Sequence, residues 1–153
     1  MGRATRVDVG SIVYHVINRA NFRSTLFSKD KHYQNFLDIL EEAREIVPMR
    51  ILAYCLMPNH FHLLLRQKKE EGITLFMRKL GGYSMYFNKK YDRVGPLFQN
   101  RYKAVNIESD EQLNTIFSYI HTNPVELHEP LWKTEGLRDF RSAKNKLKLW
   151  RWS

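Results

Sequence analysis

The sequence offers a single cysteine, Cys55, in 153 residues. No internal disulfide is available, and a structural zinc site built on cysteines is excluded. Set in Ala53-Tyr54-Cys55-Leu56, the thiol reads as a small buried hydrophobe of a protein kept in a reducing cytosol. No apolar run approaches the ~18 residues of a spanning helix, and the opening residues lack a signal-peptide pattern. A cytoplasmic location with no membrane partner is therefore expected. The chain has no internal repeat and no Gly-x-x-x-x-Gly-Lys-Ser/Thr loop, so the phosphate cradle of a P-loop nucleotide hydrolase is missing. Acidic residues are in the minority: 16 Asp and Glu stand against 25 Lys and Arg, a formal net charge of +9. That surplus favours a polyanionic partner, nucleic acid ahead of an acidic membrane surface.

What is present fits one domain over residues 1–153, since 43% hydrophobic content suffices for a single core. Strands are expected over residues 11–18, 51–56 and 60–65, the last two joined as a hairpin through Met57-Pro58-Asn59. Tyr33, Phe36, Leu37, Leu40 and Ala43 recur at helical spacing, with Asp38, Glu41, Glu42 and Glu45 turned outward and Ser28 as the expected N-cap. A second helical pattern runs from Ile73 to Tyr91, interrupted by Gly81-Gly82, where a kink or a close backbone approach is expected. A fourth strand spans 101–107, and Ser109-Asp110-Glu111-Gln112 is a capping box opening a third helix with Leu113, Ile116, Phe117 and Ile120 as its buried stripe. The order β-α-β-β-α-β-α describes an α+β domain, ferredoxin-like or RRM-like, with a central antiparallel sheet and helices packed on it. From about residue 130 the chain becomes a basic segment carrying Trp132, Trp150 and Trp152.

The chemistry concentrates in His60-Phe61-His62-Leu63-Leu64-Leu65. Side chains two apart on a strand share a face, so His60 and His62 stand side by side while Phe61, Leu63 and Leu65 point into a core. Two imidazoles make half of an open metal site, or else a pair satisfied by structural hydrogen bonds. On the third helix Tyr119 and Asn123 are four apart and stack on one side, at the edge of the apolar stripe. Asn123 offers an amide oxygen to a metal and Tyr119 a phenol one turn away. The plainer alternative makes Tyr119 a boundary aromatic and Asn123 the residue that ends the helix before Pro124. The histidine-triad nucleotide hydrolases also alternate histidines and hydrophobics on a strand, but the next same-face position here is Leu64.

Several segments together resemble the HUH-type single-tyrosine transposases of small insertion sequences, in particular the REP-associated tyrosine transposase branch. They are His15-Val16-Ile17-Asn18-Arg19, residues 53–65, Leu97-Phe98-Gln99-Asn100-Arg101-Tyr102-Lys103-Ala104, Tyr119-Ile120-His121-Thr122-Asn123-Pro124-Val125 and the closing Trp152-Ser153. Ala20, where the family often has glycine, and Glu126-Leu127-His128, in place of its small-residue turn, depart from the pattern. The resemblance implies His60, His62 and Asn123 at a divalent ion, Mg2+ or Mn2+, and Tyr119 as the nucleophile. It implies nicking and rejoining of single-stranded, hairpin-forming DNA through a 5′-phosphotyrosine. A phenol of ordinary pKa near 10 is only ~0.1% phenolate at pH 7, so the ion's charge would be needed at the phosphate. Arg19, Arg78, Lys89, Lys90, Arg93, Arg101 and Lys103 are the expected DNA contacts, with Tyr83 and Phe87 left to the core. The alternative is a non-catalytic nucleic-acid-binding module of the same fold with structural histidines. Homodimer and monomer are both compatible with the sequence.

Overall fold

The computed structural model of the chain describes residues 12–21 and 24–126; the tryptophan-bearing segment from about 130 lies outside them. The elements run β1 Val13–Arg19, α1 Asp30–Ile46, β2 Met49–Met57, β3 His60–Gln67, α2 Gly72–Leu80, α3 Gly82–Lys90, β4 Lys103–Ile107 and α4 Asp110–Glu126. The strands form one antiparallel sheet in the order β2-β3-β1-β4, the ferredoxin-like plan. β2 and β3 close through Pro58-Asn59, with Met57 paired to His60. The turn is tied down from outside: the Pro58 carbonyl accepts from Leu26 N–H at 2.8 Å and the Asn59 carbonyl from Ala20 N–H at 2.8 Å.

The two-residue period of β3 divides the molecule into layers. Phe61, Leu63 and Leu65 enter the main core with Val16 of β1, Phe36 and Leu40 of α1, and Phe76, Leu80, Tyr83 and Phe87 of α2 and α3. The other face of the sheet has a smaller core of Val13, Ala53, Cys55, Met57 and Leu64, roofed by Ile120 of α4 with Leu113, Ile116 and Tyr119 packed against it. The sheet is thus covered on both faces, α1 to α3 below and α4 above. Cys55 is fully buried beneath α4, and burial pushes its thiol up to about 12, so it serves as a hydrophobe.

Three local expectations need correction. α1 is capped by Lys29 and not by Ser28. The third helical residue, His32, instead turns its Nδ1 back to accept Ser28 N–H at 3.1 Å, satisfying the chain entry from inside the helix. Phe117 does not join the stripe of α4 and is 43% exposed. Its ring lies against His121 at 4.2 Å between centroids, while the inward line passes through Leu113, Ile116, Ile120 and Asn123. α4 also continues past Asn123 to Glu126, so Asn123 does not end the helix.

The interruption at Gly81 divides the second helical pattern into α2 and α3. Gly81 keeps helical angles and donates to the Met77 carbonyl at 3.0 Å, but a Cβ there would stand 3.2 Å from the Arg78 carbonyl oxygen. Glycine lets the two helices turn at a close backbone approach. The capping box of α4 is present. Ser109 Oγ accepts from Gln112 N–H at 3.1 Å, and Gln112 Oε1 accepts from Glu108 N–H at 3.1 Å, one residue before the N-cap. Ser109→Ala should lower unfolding stability by about 1 kcal/mol in urea titrations, within ~0.5–2 kcal/mol. An unchanged midpoint would show that this cap adds nothing to the seating of α4.

Candidate active site beneath the roof helix

On the α4 face of the sheet, β3 presents His60 and His62 with ring centroids 5.1 Å apart and planes at 79°. The tautomer of His60 follows from its partner. His60 Nδ1 meets Asn59 Oδ1 at 2.7 Å, and an amide oxygen only accepts, so Nδ1 carries the proton and Nε2 the lone pair. His62 Nδ1 meets His15 Nε2 at 3.0 Å inside the protein, which directs the Nε2 of His62 away from β1. His62 is 3% exposed, and burial, reinforced by the neighbouring His60, His15 and Arg19, pushes its pKa down to about 3. It is a neutral imidazole at physiological pH, the state in which histidine binds a metal.

α4 brings the phenol to this pair. The Tyr119 ring stands edge-on to His62, 5.5 Å between centroids with planes at 84°, a geometry worth about 0.5–1.5 kcal/mol beyond area burial. One turn later Asn123 is 3% exposed, and its Nδ2 has no hydrogen-bond partner. A buried amide with one end unsatisfied costs stability unless something occupies that end.

His60, His62 and Tyr119, assigned from separate segments, therefore meet within one chain, with Asn123 buried one helical turn beyond Tyr119. The fit to a metal can be tested on the donors. With Zn–N-type bonds of about 2.1 Å, two imidazoles on one ion at right-angle to tetrahedral geometry have ring centroids about 4.5–5.2 Å apart. The histidine pair meets this. Among the described residues no group of three or more His, Cys, Asp and Glu could hold a metal, so a further protein ligand must be of another type. Asn123 carries an amide oxygen, a donor type suited to Mg2+ or Mn2+.

His15 is the residue that sequence reasoning left without a role. Its 7% exposure and its bond to His62 place it directly behind the pair, and burial lowers its pKa. The signal was a third histidine on a strand, but only the register, which pairs His15 with Leu64 and Ile17 with His62, reveals that it shares their face.

The basic residues separate into two groups. Arg19, Arg101 and Lys103 line a cavity of about 350 Å3 with Ile17 and Gln99. It adjoins the histidines, because Ile17 pairs with His62 and Arg19 with His60 across the ladder. Arg78, Lys89 and Lys90 stand exposed on α2 and α3, the layer beneath the opposite face, with Lys90 Nζ donating to the Tyr86 hydroxyl at 3.2 Å. Arg93 is built into the scaffold: it donates to Ser24 Oγ at 2.9 Å and lies over the Phe87 ring at 5.6 Å.

The fold itself is that of known transposases. It is similar to the structure of a REP-associated tyrosine transposase bound to a REP hairpin, with a TM-score of 0.64 and 20% identity over 84% of this chain and 75% of that one. It is also similar to a crystal structure of a "putative transposase" from Deinococcus radiodurans R1, with a TM-score of 0.54 and 22% identity over 78% of this chain and 95% of that one. The sequence specifies the family: the model of "Transposase IS200 like" proteins matches residues 8–123, and the chain belongs to that family. A Haemophilus influenzae Rd protein named "Putative REP-associated tyrosine transposase" is 28% identical over 120 residues, 66% of this chain and 68% of the relative. Among the described residues no helix is long and apolar enough to cross a membrane.

The neutral buried histidines make stability depend on pH. An unfolded histidine binds its proton near pH 6.5, whereas folded His62 does so only near pH 3, so between these values the unfolded chain holds more protons. Stability present above pH 6.5 is lost as pH falls. At pH 5 the His62 contribution alone should cost about 2 kcal/mol relative to pH 7, with His15 and His32 acting in the same direction. Denaturant unfolding at pH 7, 6 and 5 measures it. A flat profile would mean that these rings are solvated.

Proposed function

We propose that this chain nicks and rejoins single-stranded, hairpin-forming DNA through a covalent 5′-phosphotyrosine on Tyr119, with Mg2+ or Mn2+ held by His60, His62 and Asn123. The observation that carries the reading is the edge-on placement of Tyr119 against His62. A phenol one side chain away from the metal ligands can reach a phosphate bound to them. Membership of a transposase family supports the reaction class, and a fold shared with a transposase bound to a REP hairpin supports a hairpin as the DNA form.

The residues divide the work. Tyr119 Oη attacks the phosphorus in line with the 3′ oxygen; the P–O3′ bond breaks, the phenol proton is given up, and the departing oxygen takes a proton to become a 3′-OH. In rejoining, a 3′-OH attacks the phosphotyrosine and the phenol is restored. One phosphodiester replaces another, so no nucleotide hydrolysis is required. Asn59 fixes the tautomer that leaves the His60 Nε2 its lone pair, and His15 holds the Nδ1 edge of His62. Arg19, Arg101 and Lys103 hold flanking phosphates in the cavity beside the pair. The bound divalent ion supplies positive charge at the non-bridging phosphate oxygens as the transition state forms.

Two measurements test this. Incubation of the full chain with labelled hairpin DNA and Mn2+ should give a denaturation-resistant adduct that Tyr119→Phe abolishes. Persistence of the adduct in that variant would move the nucleophile elsewhere. Calorimetric titration with Mn2+ should show binding that the His60→Ala, His62→Ala double variant loses. Equal binding by wild type and variant would favour a DNA-binding module with structural histidines.

A further inference from the structure

A second cavity, of about 220 Å3, opens on the other side of the same sheet end. Its walls are aromatic: Phe61, Phe98 and Tyr102, with Phe98 edge-on to Phe61 at 6.0 Å and 85°. Met77 and Leu80 floor it where α2 breaks at Gly81. The rim is polar and formed by Asn18, Asn100 and Arg101. Those same three residues also line the basic cavity that adjoins His60 and His62.

We infer that this cavity is a binding site for one unstacked nucleobase of the DNA strand, the base belonging to a nucleotide whose phosphate lies in the adjoining basic cavity. The inference rests on the reading of the chain as a single-strand DNA transposase and adds where a base is held. Three features select this occupant. The shared rim joins a cationic groove to an aromatic slot, the pairing of charges and rings that a nucleotide presents and that an apolar peptide or lipid chain does not. The size of the slot suits one planar ring system. The rim amides can meet a base edge: Asn18 Oδ1 accepts Arg19 N–H at 2.9 Å, which leaves the Asn18 NH2 group to donate to a ring nitrogen or exocyclic carbonyl. Withdrawal of one base from the strand beside the histidines would fix the register of the phosphate presented to Tyr119, so the slot is a specificity and positioning element as well as a source of affinity.

The test uses the full chain and a hairpin oligonucleotide with single-stranded flanks. Each flank nucleotide is replaced in turn by an abasic analogue, and affinity is read by fluorescence anisotropy. One flank position should lose about five- to a hundred-fold in affinity when its base is removed. That penalty should vanish in the Phe98→Ala, Tyr102→Ala variant, and 2-aminopurine at the same position should change its emission on binding to wild type only. Because Phe98 touches the core, Asn100→Trp at the exposed rim gives a second route: it closes the mouth and should remove the same penalty. A penalty that persists in both folded variants overturns the inference. So does a flat abasic scan with salt-dependent binding intact, which would leave DNA binding standing and the slot unused. If wild type binds no hairpin DNA even at low salt, the proposed function fails and the base site with it.

Discussion

The alternation of side chains along β3 is the constraint on which the rest of the molecule depends. A strand sandwiched between two helical layers must satisfy both, and β3 does so with opposite chemistry on its two faces. Phe61, Leu63 and Leu65 anchor the main core, so the strand cannot slip by one residue without burying histidines among the aromatics of α1 and α3 and lifting leucines into the site. The register that stabilises the fold is therefore the register that aims His60 and His62 at α4. The Pro58-Asn59 turn holds it at one end through backbone bonds to Leu26 and Ala20.

The roof helix reaches the histidines because of how it is seated. Its inward line through Leu113, Ile116 and Ile120 lies on the minor core around Leu64 and Cys55, which places Tyr119 on His62 and buries the Asn123 amide one turn further along the helix. Desolvation then acts on chemistry: with Tyr119 above and His15 behind, His62 stays neutral, with its Nδ1 engaged by His15. Packing, tautomer and charge state are one arrangement seen at three levels.

Much of this was readable from residues alone, and the failures are physical. The strand period, the helical spacing of Tyr33 to Ala43 and the Ser109–Gln112 box are local signals, and each became the expected element. The meeting of Tyr119 with His60 and His62 was legible because a family pattern supplied the long-range pairing that spacing cannot. His15 was invisible because its role depends on cross-strand register, which no local period encodes. Phe117 was misplaced because helix rotation is settled by the whole face that packs, and a stripe containing Asn123 is less apolar than one containing Phe117. Basic residues alike in sequence separated by layer, with Arg19, Arg101 and Lys103 beside the histidines and Arg93 tied to Ser24. Charge count predicts a polyanion, but only topology shows which cations share a cavity.

The central claim is that α4 delivers Tyr119, and no other phenol, to a phosphate held at the histidine pair. The most direct measurement is tandem mass spectrometry of trypsin-digested protein–DNA adduct after nuclease trimming. Tyr83 and Tyr86 share one tryptic peptide, the other tyrosines fall in separate ones, and residues 104–133 contain Tyr119 as their sole tyrosine. The account predicts the nucleotide mass on that peptide, fragmenting to Tyr119. A modified tyrosine on any other peptide, such as Tyr102 beside the basic cavity, would contradict it.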